Sequence, residues 1–479
     1  MNDAAMKYDL VVGLEIHVQM NTLSKAFCAE RNAFGAAPNT QVGVVSLAYP
    51  GSLPVPNQKH MEKAIRLGLA LDSTIAPAVY FDRKNYFYPD LPKGYQITQD
   101  AMPICKGGFL YLANAGRKVR IHHVHMEEDA GKLIHDQDPD DTLIDLNRAG
   151  VSLLEIVTEP DLHSSDEVDA YLKALREVLV YLGVCDGNME QGSFRCEPNV
   201  SIRPVGQSYL GTKVELKNIN SFRYAKEAIE FEVRRQQEVL DEGGTLRQET
   251  RLWDVQRGQT AVMRSKEEAH DYRYFPDPDL LPVQLDEEWI KELSSKLPEL
   301  PGEKFQRFLD EYGLPEYDAK ILTESKELAE YFEACVQLYP QSKIVSNWVM
   351  GELLRELNQQ GIRASASPVS PERLVELLQL VETGTVSLKV ARELFPELYL
   401  SGKNPEDLVK EKGLLQLSDE GQLEALIETV LASHPSQVEQ YRNGKETVLG
   451  YIVGQVMKAS GGKANPGKVN TLLKNKLSA

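Results

Sequence analysis

The strongest constraint on this chain is a series of short segments between residues 13 and 217 in which apolar side chains alternate with ionisable ones. Successive side chains of a strand point to opposite faces, so this alternation describes a sheet with one face in a core and one face carrying polar groups. In Gly13-Leu14-Glu15-Ile16-His17-Val18-Gln19, Leu14, Ile16 and Val18 face one way and Glu15, His17 and Gln19 the other. Along Arg120 to Asp129, an extended chain puts His123, His125 and Glu127 on one face, with Glu128 on the other or at a bend near Gly131. Leu153-Leu154-Glu155-Ile156-Val157 sets Glu155 in an otherwise apolar run, and Glu190 and Glu197 flank Gly192 to Cys196. Asn199, Ser201 and Arg203 alternate with Val200 and Ile202, and Lys213, Glu215 and Lys217 alternate with Val214 and Leu216.

A single strand of this kind reads as a solvated sheet face held by internal salt bridges. A recurrence in one region reads differently. A carboxylate in an apolar run is costly to bury without a partner, and clustered carboxylates must protonate or bind cations. Glu and Asp oxygens, with water and substrate phosphate, suit Mg²⁺, and interleaved Lys213, Lys217 and Arg203 suit nucleotide phosphates. Carboxylates, Mg²⁺ and basic residues without an evident nucleophile point to phosphoryl transfer, which needs positioning and charge neutralisation.

At 479 residues the chain exceeds the ~250–300 residues at which single cores stop growing. Residues 1–285 mix short alternating segments with few helices and many Gly, Pro, Asn and Tyr turns, which predicts an α+β domain with mainly antiparallel sheet. Ser164 or Ser165 caps a helix that Gly183 stops, and a second helix runs from about Phe222 to Asp241. Residues 286–400 read as a helical domain, with Ser370-Pro371-Glu372 as a helix start, and residues 401–479 as a small helical tail. No apolar run nears the ~18 residues of a membrane span, and the first ten residues lack a signal peptide's apolar stretch, so a cytoplasmic protein is expected. The five cysteines, Cys28, Cys105, Cys185, Cys196 and Cys335, are scattered, which argues against a disulfide framework. Gly462 to Lys468 matches GxxxxGK, but Val469 replaces the Ser or Thr of a phosphate loop and no strand precedes it.

Net charge is −18, yet from Arg442 onward seven positive residues face one negative, Glu446. An acidic body with a basic end holds cations in one place and a polyanion in another. Lys458, Lys463, Lys468 and Lys474 are the candidate nucleic-acid contacts.

Several longer stretches carry a resemblance. They are Gly13 to Val18 (Gly-Leu-Glu-Ile-His-Val), Phe81 to Asp90 (Phe-Asp-Arg-Lys-Asn-Tyr-Phe-Tyr-Pro-Asp), His125 to Lys132 (His-Met-Glu-Glu-Asp-Ala-Gly-Lys), Asp145 to Gly150, Leu216 to Phe222 and Asp271 to Pro276. In this order and spacing the chain resembles the B-subunit family of tRNA-dependent amidotransferases from about residue 8 to its end. The resemblance implies a cradle domain with glutamine-synthetase-like kinase chemistry, a helical domain and a tRNA-contacting tail. It implies an amidase (A) subunit and a small C subunit as partners in a heterotrimer. It implies a ligase that uses ATP and Mg²⁺ to phosphorylate the side-chain carboxylate of Glu-tRNA(Gln) or Asp-tRNA(Asn), which ammonia then amidates. Carried onto this chain, Glu15, His17, Glu127 and Glu128 form the metal-site core, with Glu155, Glu190 and Glu197 around it. Glu128, Lys213 and Lys217 become catalytic candidates, and Arg203 and Lys213 bind nucleotide. The competing reading is a non-catalytic tRNA-binding scaffold whose acidic sheet is only structural. Many relatives carry a four-cysteine zinc site near Cys28, but Glu30, Gly43 and Ser46 stand at the other three positions here, so no structural zinc is expected.

Overall fold

A computed structural model describes residues 7–112, 115–135, 140–265, 271–414, 420–461 and 464–478. The chain divides into two compact units, residues 1–303 and 304–479.

The first unit is built on a ten-stranded sheet. Its central order is Val214–Lys217, Phe194–Pro204, Tyr8–Gln19, Ser152–Thr158 and Arg117–Glu128, all paired antiparallel. Glu249–Asp254 adds to Val214–Lys217 in parallel, and Gln259–Ser265 closes that side. Cys105–Lys106, Thr74–Ile75 and Phe109–Leu112 complete the other side.

The alternation dictates which face is covered. Leu14, Ile16, Val18, Val124, Met126, Leu154, Ile156, Phe194 and Val200 are all buried in one core with the apolar stripes of two helices. Helix Ser165–Tyr181 contributes Val168, Leu172, Leu175 and Leu179; the Ser164 hydroxyl caps it by accepting from Glu167 N at 3.1 Å. Helix Phe222–Asp241 contributes Ala225, Ala228 and Ile229, with Ser221 capping Tyr224 N at 3.1 Å. With the apolar face committed, the polar residues of the same strands must share the opposite one. A three-stranded sheet of Phe275–Pro276, Asp82–Asn85 and Tyr95–Thr98 belongs to the same unit.

The first unit runs on past residue 285 because helix Glu287–Ser295 buries Leu293, with Trp289 and Ile290 partly covered, in this same core. The second unit is helical among its described residues and has two separate apolar clusters. One gathers buried residues from Phe308 to Val409, so the helical core continues beyond position 400; the other runs from Leu423 to Leu477. Helix Pro371–Glu382 begins as its sequence indicates, with Ser370 as N-cap and Pro371 in the first turn, and buries Leu374, Leu377 and Leu378. No helix among the described residues is long and apolar enough to cross a membrane. All five cysteines are free.

Candidate active site

Sheet register assembles the site. Arg195, His17, Glu155 and His125 lie directly across four neighbouring strands, so their side chains share one face. In the next row, Glu197 pairs with Glu15, Glu15 with Val157, and Val157 with His123. On the other flank Gln19 pairs with Leu153 and Leu153 with Glu127.

Glu155 sits between the two imidazoles: its Oε2 is 3.4 Å from His17 Nε2 and 3.2 Å from His125 Nε2. Glu127 closes the group, with Oε1 at 3.7 Å from His17 Nε2 and Oε2 at 3.7 Å from His125 Nε2. Thr98 Oγ1 lies 3.5 Å from Glu127 Oε2. His123 Nε2 in turn lies 3.2 Å from His125 Nδ1.

The electrostatics follow from this contact set. Burial works to raise Glu155, but the hydrogen bonds and charges of His125 and His17 outweigh it and hold the carboxyl well below its usual range. Burial works to lower His125, yet Glu127 and Glu155 push it up to about 10, and His17 is raised against burial in the same way. His123 has no such carboxylate contact; burial and the neighbouring His125 bring it down to about 4. Burial raises Glu15, helped by the charge of Glu155 and opposed by Asn199, whose Nδ2 donates to Glu15 Oε1 at 2.9 Å.

Among the described residues, two groups of side chains could hold a cation, each with ligand atoms within 4.8 Å of one another: His17 with Glu127 and Glu155, and Glu15 with Glu197 and Glu215. They are not equivalent. In the second, Lys217 Nζ already sits 2.6 Å from Glu197 and 3.1 Å from Glu215, and Thr250 Oγ1 donates to Glu215 at 2.6 Å. In the first, the carboxylates face imidazoles, which can give up a proton and become ligands. One imidazole nitrogen and two carboxylates suit a divalent ion that completes its shell with water or phosphate oxygen.

The remaining sequence candidates lie elsewhere. The strand continues unbent through Glu128, so Glu128 points away from His125 and Glu127. It is buried, its Oε1 accepting from Ile97 N at 2.9 Å and from Lys93 Nζ. It is therefore not a member of either cation-holding group, contrary to its expected place in the metal-site core. Glu190 is exposed in the Met189–Gly192 turn and joins neither group, and Lys213 is exposed just before its strand. Arg203 is half-buried, its Nη1 donating to Ser208 O at 3.4 Å. Lys458, Lys468 and Lys474 are exposed in the second unit, and Lys463 lies outside the described residues.

Three residues of the site were not singled out as candidates. Lys84, on the three-stranded sheet, feels Glu127 and Glu155; burial opposes its charge, but those carboxylates keep its pKa raised. Asp129 is buried, and Arg195, Arg148 and Gln19 hold it low against burial, with Arg195 Nη2 and Gln19 Nε2 each donating at 2.7 Å. Arg195 shares the alternation that exposes Glu197 and could have been read from it. Lys84 comes from a separate sheet, and no local pattern announces it.

A family model for the GatB/GatE catalytic domain matches residues 10–291, and one for the GatB domain matches residues 330–477. The chain belongs to the GatB family. Within it, a Geotalea uraniireducens protein, named as the B subunit of aspartyl/glutamyl-tRNA(Asn/Gln) amidotransferase, is 55% identical over 477 residues, covering 98% of this chain and all of that one. The Thermoanaerobacter pseudethanolicus protein of the same name is 51% identical over 475 residues, covering 99% of this chain and all of that one. Both cation-holding groups fall inside the GatB/GatE catalytic match.

The Glu155 contacts make a direct prediction for the metal-free protein. His125 is raised from 6.5 to about 10, so its stabilising charge is fully present below pH 6.5 and is lost as pH rises through about 10. In Glu155→Gln, NMR titration should show the His125 midpoint moving down toward 6.5, and stability should depend less on pH across that window. An unmoved midpoint would mean that Glu155 does not set the charge of the imidazole row.

Proposed function

We propose that this chain is the B subunit of an amidotransferase that converts Glu-tRNA(Gln), Asp-tRNA(Asn) or both to the amidated form, and that its first unit carries the ATP-dependent step. The observation that carries this is the cross-strand group of His17, Glu127 and Glu155, with Lys84 and Lys217 as neighbouring cations. The relatives' names, which specify a subunit acting on tRNA, support the substrate class. The chemistry is of the glutamine-synthetase kind.

The tRNA-borne carboxylate attacks the γ-phosphorus of ATP, the bond to the β-bridging oxygen breaks, and ADP leaves. Ammonia then attacks the carbonyl carbon of the acyl phosphate and expels inorganic phosphate, giving the amide. Ammonia comes from glutamine on an amidase partner, in a heterotrimer completed by a small third subunit.

His17, Glu127 and Glu155 would hold Mg²⁺, which when bound supplies charge neutralisation for the nucleotide phosphates. The chain's own residues do the rest. Lys84 brings a half-buried positive charge, partly shielded from solvent, toward where phosphate charge must be neutralised. Lys217, gripped by Glu197 and Glu215, fixes the position of a second cation, and Lys213 and Arg203 are candidate contacts to the outer phosphates. Asp129 anchors Arg195 at the end of the His17 row. Glu128, bonded to Ile97 N and Lys93, ties the His-rich strand to strand Tyr95–Thr98 and acts on the site by position. In the second unit, exposed Lys458, Lys468 and Lys474, with Lys463 by sequence, are the candidate contacts to RNA phosphates, recognised chiefly by shape and backbone.

His17→Ala in the assembled complex, given misacylated tRNA, ATP, Mg²⁺ and glutamine, should lower amidation by about 10²–10³-fold while tRNA affinity is unchanged. Undiminished turnover would instead favour the scaffold reading. Replacing Lys458, Lys468 and Lys474 together by Ala should weaken tRNA binding and flatten log K against log salt by about 0.7–0.9 for each phosphate no longer neutralised. A slope identical to wild type would remove the tail from the binding surface.

A further inference from the structure

Residues 20–57 join the first strand to helix Gln58–Ala70 with no helix or strand between them, only a Ser24–Arg31 bridge. Two tight turns organise this segment. In the first, Lys25 N donates to Glu30 O and Asn32 N to Leu23 O, both at 3.0 Å. In the second, Leu47 N donates to Gly43 O at 3.0 Å and Tyr49 N to Val44 O at 2.9 Å.

The turns meet through their side chains. Cys28 Sγ lies 3.7 Å from Ser46 Oγ. A Cβ added at Gly43 would fall 1.4 Å from Glu30 Oε1 and 2.4 Å from its Cδ, so the Glu30 carboxylate fills the space that a side chain at position 43 would enter. Positions 28, 30, 43 and 46, separated in sequence, thus converge on one spot. These are the four positions at which the resemblance to the B-subunit family implies a zinc site of four cysteines.

The residues present do not fit that ion. One thiol, one carboxylate and one hydroxyl replace four thiolates, and Gly43 offers no ligand atom. Burial, with Glu30 beside it, pushes the Cys28 thiol up to about 11, which keeps it protonated at neutral pH. Fully buried Lys25 adds an amine to the same neighbourhood: burial lowers its pKa, and the nearby Glu30 carboxylate opposes that. Lys25 Nζ and Glu30 Oε2 are both buried, and neither has a hydrogen-bond partner among the described residues.

We infer that segment 20–57 of this chain is a metal-free knuckle, in which the Glu30 side chain occupies the ion's place and residue 43 is glycine to make room for it. Three substitutions separate it from a zinc site.

The test uses the full chain. Wild type, purified and supplied with zinc, should retain only substoichiometric metal, and a strong chelator should leave its Tm unchanged. The triple variant E30C/G43C/S46C should retain stoichiometric zinc, show thiolate absorption with cobalt, and lose Tm on chelation. Stoichiometric zinc in wild type would overturn the inference, and so would a folded triple variant that binds neither metal. Should that variant not fold, a second pair decides. Gly43→Ala should lower Tm by roughly 2–4 °C, and adding Glu30→Ala should restore it. A Gly43→Ala crystal structure in which the Glu30 carboxylate has not moved would show that Glu30 does not fill this space.

Discussion

The first unit depends on one half-buried charge, the carboxylate of Glu155. It sits in a strand whose neighbours Leu154 and Ile156 are fully buried, where an unpaired carboxylate would be costly. The sheet meets that cost by register. Antiparallel pairing places His17 on one side of Glu155 and His125 on the other, and both imidazoles reach the same carboxylate oxygen. A slip of one residue in either pairing would turn an imidazole into the apolar core and bring Ile16 or Val18, or Val124 or Met126, toward the site. Fold and site therefore share a single constraint. The apolar face fixes the register, and the register fixes which ionisable groups meet.

The local pattern made much of this readable. Leu14, Ile16 and Val18 against Glu15, His17 and Gln19 describe a strand with two faces, and the structure has that strand at the centre of the sheet. Alternation says which residues share a face, but not which strands become neighbours. That Glu155 lies between His17 and His125, and not beside Glu197, follows from strand order, a long-range property. Lys84 was illegible for the same reason. Glu128 illustrates the opposite risk: adjacency in sequence to Glu127 suggests a shared site, whereas an unbent strand separates their side chains. Helix starts were easier, because Ser164, Ser221 and Ser370 cap their helices through contacts three residues away. Domain limits were harder, since helix Glu287–Ser295 joins the first core through tertiary packing that its own sequence does not announce.

The charge arrangement suits a division of labour within one chain. Carboxylates on the sheet are balanced locally, by His17, His125, Lys217 and Arg195, so they lie ready to exchange one positive partner for another. The lysines of the last helices have a different character. Lys458, Lys468 and Lys474 are exposed. The two family matches cover both regions, residues 10–291 and 330–477.

The most direct measurement is an anomalous diffraction map of crystals soaked with manganese and ADP. A single strong peak among His17 Nε2 and the carboxylates of Glu127 and Glu155 is the predicted result. A peak held instead by Glu15, Glu197 and Glu215, with the His17–Glu155 contact intact beside it, would contradict the assignment of the cation to the imidazole row.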